Sequence, residues 1–164
     1  MDQLIFQKHD YRFYESPYQD IYLRDPFPAA VVILALCDSK VAICKQYREG
    51  VGRETCELPG GSIEAGEEKE IAARRELLEE TGMTCDKLYY LGQTEPDPCL
   101  SNQFSYLYFT KNAKWNHAQA LDDGEQIEVS FHDPEAVIQN IAEGRWNNSE
   151  LVHALFLARQ KGLL

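Results

Sequence analysis

Two apolar runs, an unbroken one at residues 29–36 and one at 41–46 that ends in Lys45-Gln46, stand out from a chain that otherwise alternates polar and apolar positions over short stretches. Each is strand-sized, and Asp38-Ser39 between them is a turn signal, so the pair reads as an antiparallel hairpin in the core. Upstream, residues 11–16 and 21–24 alternate aromatic or apolar with polar residues around Ser16-Pro17, as two short strands do, before Asp25-Pro26-Phe27-Pro28 breaks the chain. Residues 67–81 are rich in Glu, Ala, Leu and Arg, contain no Pro or Gly and stop at Gly82, which predicts a helix with its C-terminal signal. Further strands are expected at 87–92, 104–109 and 127–131. Helices are expected at 134–142, opened by Pro134, and at 149–161, capped near Asn148 or Ser149. The pattern is α/β with a mostly antiparallel or mixed sheet. Regular βαβ alternation and a G-x-G-x-x-G turn are both missing, which argues against a dinucleotide-binding doubly wound sheet.

Composition narrows the classes. At 164 residues, 44% hydrophobic and 26% charged, the chain suits one domain with a real core. The apolar run at 29–37 ends at Asp38, well short of the roughly 20 residues of a membrane span. Residues 1–10 carry Asp2, Lys8, His9 and Asp10 and lack the apolar region and cleavage site of a secretory signal. The five cysteines (Cys37, Cys44, Cys56, Cys85, Cys99) are odd in number and form no C-x-x-C pair, so they read as reduced packing residues of a cytoplasmic protein. A net charge of −11 with no cluster of Lys and Arg excludes nucleic acid as a partner, although a small phosphorylated ligand can still bind if divalent cations bridge the negative charges. His9, His117, His132 and His153 show no metal-like spacing, and Trp115 and Trp146 read as packing residues.

The chemistry lies in the helix expected at 67–81. Glu76 sits one turn before Glu79 and Glu80, so all three share a face near the C-terminal end, where both mutual repulsion and the helix dipole disfavour negative charge. A hard divalent cation with oxygen ligands is the natural compensation. Just upstream, Gly60-Gly61 lets the backbone approach an ion or a phosphate closely, and Glu67 precedes the helix.

Gly61, Glu67, Arg75-Glu76-Leu77, Glu79-Glu80 and Gly82-Met83 match the Nudix signature G-x5-E-x7-R-E-U-x-E-E-x-G-U at every specified position. The resemblance implies a Nudix fold, an α/β/α sandwich with a mixed sheet, over residues 29–164, preceded by N-terminal strands in 1–28. It further implies that Glu76, Glu79 and Glu80, with the backbone carbonyl of Gly60, bind Mg²⁺ or Mn²⁺, and that Arg75 orients the acidic residues, with Gly61 and Glu67 supporting them. Such ions neutralise a diphosphate and lower the pKa of an attacking water, whose proton passes to a carboxylate within reach.

The flanks resemble the ADP-ribose and ADP-sugar pyrophosphatases within that family: Gln46-Tyr47-Arg48, Arg53-Glu54, Glu57-Leu58-Pro59-Gly60-Gly61, the loop Asp97-Pro98-Cys99-Leu100-Ser101-Asn102, and Asp123-Gly124-Glu125-Gln126-Ile127-Glu128-Val129. By that resemblance Glu125 is the base, Arg48 contacts phosphate, and Glu57, Pro98 and Asn102 belong to the substrate site. Glu79, Asp122, Asp123 and Glu128 are the other candidates for the base. An aromatic to stack on adenine is available at Tyr14, Tyr18, Tyr22 or Phe27. Two features depart from the subfamily. Cys99 stands where a small residue such as Gly often follows the loop proline, and only 28 residues precede Ala29, whereas longer N-terminal sheets complete a homodimer in those relatives. The expected activity is hydrolysis of ADP-ribose or an ADP-sugar. Another nucleotide diphosphate, or a sensor that binds a nucleotide sugar without cleaving it, are the alternatives.

Overall fold

The computed structural model describes residues 2–164. In chain order its elements are β1 (Gln3–Lys8), β2 (Tyr11–Glu15), β3 (Ile21–Arg24), β4 (Ala29–Cys37), β5 (Lys40–Arg48), β6 (Arg53–Glu57), β7 (Gly60–Ser62), α1 (Lys69–Thr81), β8 (Met83–Thr84), β9 (Tyr89–Thr94), β10 (Phe104–Thr110), β11 (Lys114–Trp115), β12 (Ile127–His132), α2 (Pro134–Ala142) and α3 (Ser149–Gln160).

The run of apolar residues in β4 follows from burial on both faces. Val31, Ile33 and Ala35 pack with Ala72, Ala73 and Leu77 of α1, while Val32, Leu34 and Leu36 pack with Val137 of α2 and Leu151, Ala154 and Leu155 of α3. Helices therefore cover the central sheet on both sides, giving the α/β/α sandwich. The sheet is mixed: β4 pairs in parallel with β10, which pairs antiparallel with β9, and β12 closes the other end against β5. Full burial of a side chain such as Leu77 contributes about 1.5–3 kcal/mol, so α1 is anchored to the sheet by its apolar residues and its acidic ones are left for other contacts.

The expected hairpin of β4 and β5 turns through Asp38 and Ser39, both at positive φ as a tight two-residue turn requires. The two strands pair only at Leu36–Val41 and Cys37–Lys40 and then part. β6 takes the freed edge of β5, and β7 takes that of β4. This fork was not evident in the apolar pattern, because β6 and β7 are short, polar or glycine-rich. β1, β8 and β11 were likewise not anticipated.

Helix α1 begins at Lys69, two residues later than its sequence suggests, because the Glu67 carboxylate turns back to accept the Glu64 N–H. It ends at Gly82, whose φ of 69° is left-handed and whose N–H donates to the Leu78 carbonyl. A side chain there would also strike the His117 carbonyl oxygen, so glycine is required twice over. Asn148 caps α3, its side chain accepting the Leu151 N–H.

Strands β1, β2 and β3 form a separate antiparallel sheet. It is tied to the body where the Leu23 N–H donates to the Leu100 carbonyl. All five cysteines are free, and no helix among the described residues is long and apolar enough to cross a membrane.

Candidate active site

The fork between β4 and β5 opens a cavity of about 480 Å³. Its floor is the main chain of β4 and β7, and α1 supplies one wall. From that wall Glu76, Glu79 and Glu80 face the cavity, as their spacing requires. The wall is braced by Arg75. Its guanidinium grips both oxygens of Glu67 at 2.9 Å, donates to Glu76 at 2.7 Å and to Glu79 at 3.0 Å, and reaches the Ser62 carbonyl at 3.0 Å. Arg75 thus fixes the loop before α1 to the acidic face of α1 itself, and these bonds hold it firmly protonated.

Glu80 lies deepest, with 5% of its surface exposed. One oxygen accepts the Gly60 N–H at 2.8 Å, and none of the described residues holds the other. Burial pushes its carboxyl up to about 8, and the neighbouring charges of Glu76 and Glu125 push the same way. Glu76 is also raised, first by burial, although Arg75 opposes the shift.

On the opposite side β5 and β6 present an ion pair. Arg48 Nε and Nη2 donate to the two Glu57 oxygens at 3.1 and 2.7 Å. Burial by itself raises Glu57, but the hydrogen bonds from Arg48 and Thr55 outweigh it and leave the carboxyl below its ordinary range. Arg48 remains half-exposed on the cavity, with a charge that also acts on Glu80 and Glu150.

A loop brings the last carboxylates. The Ala120 N–H donates to the Glu79 carbonyl at 2.8 Å, and the Gln119 amide donates to the carbonyls of Glu80 and Ile127. These bonds satisfy carbonyls at the C-terminal end of α1 and carry Asp122 and Glu125 to the rim. Glu125 accepts the Asp122 N–H at 3.1 Å through one oxygen, so it stabilises its own turn while facing the cavity.

The arrangement suits a hard divalent cation. The donors are carboxylate oxygens, one of them free on Glu80, beside main chain without side chains. A Cβ on Gly61 would lie 2.5 Å from Glu76 Oε1, so glycine keeps that space open. As placed, no three His, Cys, Asp or Glu side chains among the described residues are grouped so that they could hold a metal ion together. The Arg75 guanidinium stands between Glu76 and Glu79 and neutralises them instead.

Of the residues expected from sequence, Arg48, Glu57, Gly60, Gly61, Arg75, Glu76, Glu79, Glu80 and Glu125 all line this one cavity. Glu67 stands behind it through Arg75. Pro98 and Asn102 do not line it; they border a separate cavity beside β3. The Asn102 amide is committed to Asp25, accepting its N–H at 2.8 Å and donating to its carbonyl at 3.1 Å, which pins the segment leading into β4. Tyr14, Tyr18, Tyr22 and Phe27 are also absent from its walls. Sequence reading missed Glu150, which also lines the cavity, because a glutamate in the first turn of a helix is ordinary.

The family model of the NUDIX domain matches residues 26–155. A methanol dehydrogenase activator of Bacillus methanolicus is 31% identical over 139 residues, covering 83% of this chain and 75% of that one. An ADP-ribose pyrophosphatase of Bacillus subtilis is 35% identical over 104 residues, covering 62% of this chain and 56% of that one, so the chain spans little more than half of that relative. In fold, the crystal structure of an ADP compounds hydrolase superposes with a TM-score of 0.80 over 100% of this chain and 95% of that one, at 19% identity.

Proposed function

We propose that this chain, which belongs to the Nudix family, hydrolyses the diphosphate of ADP-ribose or an ADP-sugar, giving AMP and a sugar phosphate. One observation carries the reading: Glu76, Glu79 and Glu80 share a cavity with the Gly60-Gly61 main chain and with Arg48. The similarity to an ADP-ribose pyrophosphatase favours the adenosine compound over other diphosphates.

Glu76, Glu79, Glu80 and the Gly60 carbonyl would hold Mg²⁺, or Mn²⁺, which when bound lowers the pKa of water and neutralises diphosphate charge. Arg48 faces the phosphates, and Glu57 fixes the direction of its guanidinium. Arg75 keeps the three carboxylates in position. Glu125 takes the proton of the attacking water, with Glu79 the nearest alternative. The water oxygen forms the new P–O bond, and the bridging P–O bond breaks with its electron pair leaving on the departing phosphate. Five free cysteines support a reducing, cytoplasmic setting. The exposed Leu4, Ile5 and Phe6 of β1 support a homodimer contact.

The test is incubation of the purified protein with Mg²⁺ and a panel of nucleoside diphosphate compounds, with products separated by chromatography. Release of AMP from ADP-ribose or an ADP-sugar, lost on chelation, is the expected result. Tight binding without turnover of any member would instead mark a sensor.

A further inference from the structure

Three carboxylates of the cavity, Glu64, Asp122 and Glu150, are used by neither the signature nor the hydrolysis; Glu64 and Asp122 are exposed, whereas Glu150 is partly buried and paired with another side chain. Glu150 is therefore the one of interest. It projects from the first turn of α3, where a carboxylate turned to solvent would serve the helix dipole equally well. Instead it faces the cavity, and one of its oxygens accepts the hydroxyl hydrogen of Ser105, a residue of β10 that is itself only 3% exposed. That inward orientation has a cost, since burial pushes the Glu150 carboxyl upward. Arg48 lines the same cavity, near enough to both groups that its charge acts on Glu80 and on Glu150. No aromatic side chain among the described residues lines the cavity, so neither end offers the flat apolar surface a base would stack on.

We propose that Glu150, held by Ser105, binds the hydroxyl groups of the sugar attached beyond the phosphate that faces Arg48. A carboxylate with one oxygen anchored offers the other as an acceptor to a sugar diol, and a compound lacking those hydroxyls leaves the partly buried carboxylate unmatched. Glu150 is thereby a specificity residue, and Ser105 a positioning residue behind it. The inference rests on the diphosphatase reading.

The experiment compares ADP-ribose with the methyl ester of ADP, which keeps the diphosphate and adenosine but has no distal sugar. Kinetics are measured for the wild-type protein, Glu150→Ala and Ser105→Ala. Glu150→Ala is expected to raise KM for ADP-ribose about ten- to a hundred-fold, the range for hydrogen bonds to a charged group, with kcat and the ester's KM within about threefold of wild type. Ser105→Ala should produce the same selective loss in smaller degree. Equal loss on both substrates, or none on ADP-ribose, overturns the assignment. Wild-type turnover of neither compound removes the diphosphatase reading and this inference with it.

Discussion

Replacing Glu80 by glutamine separates what the buried carboxylate does for catalysis from what it costs the fold. The amide keeps the shape of the side chain and can still accept the Gly60 N–H. The native carboxyl, raised from 4.5 to about 8, binds its proton more tightly than it does in the unfolded chain. The folded state therefore carries more protons between those two values, so stability falls as pH rises through that window and the contribution is intact only below it. At pH 7 the loss is about 2.5 units at roughly 1.4 kcal/mol each, on the order of 3 kcal/mol, which relaxation around the site will reduce. In chelator-containing buffer, Glu80→Gln is expected to match wild type near pH 5 and exceed it by about 1–3 kcal/mol at pH 7. At about 2–4 °C per kcal/mol, the gain in Tm is several degrees. Adding Mg²⁺ should close the gap, because an ion at ten times its Kd stabilises wild type by about 1.4 kcal/mol and the variant much less. Turnover of the variant should fall by orders of magnitude. Thermal scans across pH, with and without Mg²⁺, provide the measurement. Parallel wild-type and variant curves from pH 5 to 8 would refute the buried-carboxylate argument, and near-normal turnover at saturating Mg²⁺ would refute the metal-site assignment.

Glu125→Gln is expected to lower kcat by roughly 10²- to 10⁴-fold with little change in KM or in the Mg²⁺ needed for half-maximal rate; a rate titration in which added Mg²⁺ restores activity would instead make Glu125 a ligand. Gly61→Ala forces a methyl group to within 2.5–2.7 Å of the Glu76 carboxylate, which can swing aside. The fold should hold to within about 1 kcal/mol while the Mg²⁺ requirement rises at least about tenfold, and an unchanged titration would show that Glu76 is not a ligand. Asn102→Ala removes two hydrogen bonds to Asp25 outside the cavity. It should leave kcat/KM within about threefold and speed amide exchange around Asp25 and Phe27, whereas a large rise in KM would return Asn102 to the substrate site.

The sequence was most informative where one physical requirement dictated residue type. Burial on both faces made β4 visible as an unbroken apolar run, and the left-handed turn at Gly82 marked the end of α1. Glu76, Glu79 and Glu80 were legible because helical spacing fixes which side chains share a face, whereas Arg75 was placed by the match to the Nudix signature. β6 and β7 were hidden because their edges pair with strands whose own partners are set by the fork rather than by alternation. Asn102 shows the limit of reading a loop by position: an amide is suited equally to a ligand and to a nearby main chain, and here Asp25 takes it. Glu150 was invisible for a related reason, since only the tertiary fold brings Ser105 to it across 45 positions of sequence.

The forked hairpin also bears on how this cavity can change over evolutionary time. Its floor is peptide backbone from β4 and β7, paired by main-chain hydrogen bonds that need glycine at Gly60, where a Cβ would strike the Val31 carbonyl oxygen, but do not depend on side-chain identity along β4. Its rims are single side chains from separate elements: Arg48 and Glu57 on neighbouring strands, Glu125 on a loop, Glu150 on a helix. A substitution at one rim leaves the others and the floor in place. Such a cavity can exchange one leaving group for another by single steps while the acidic wall of α1 persists, so diversification of substrate need not pass through loss of the fold.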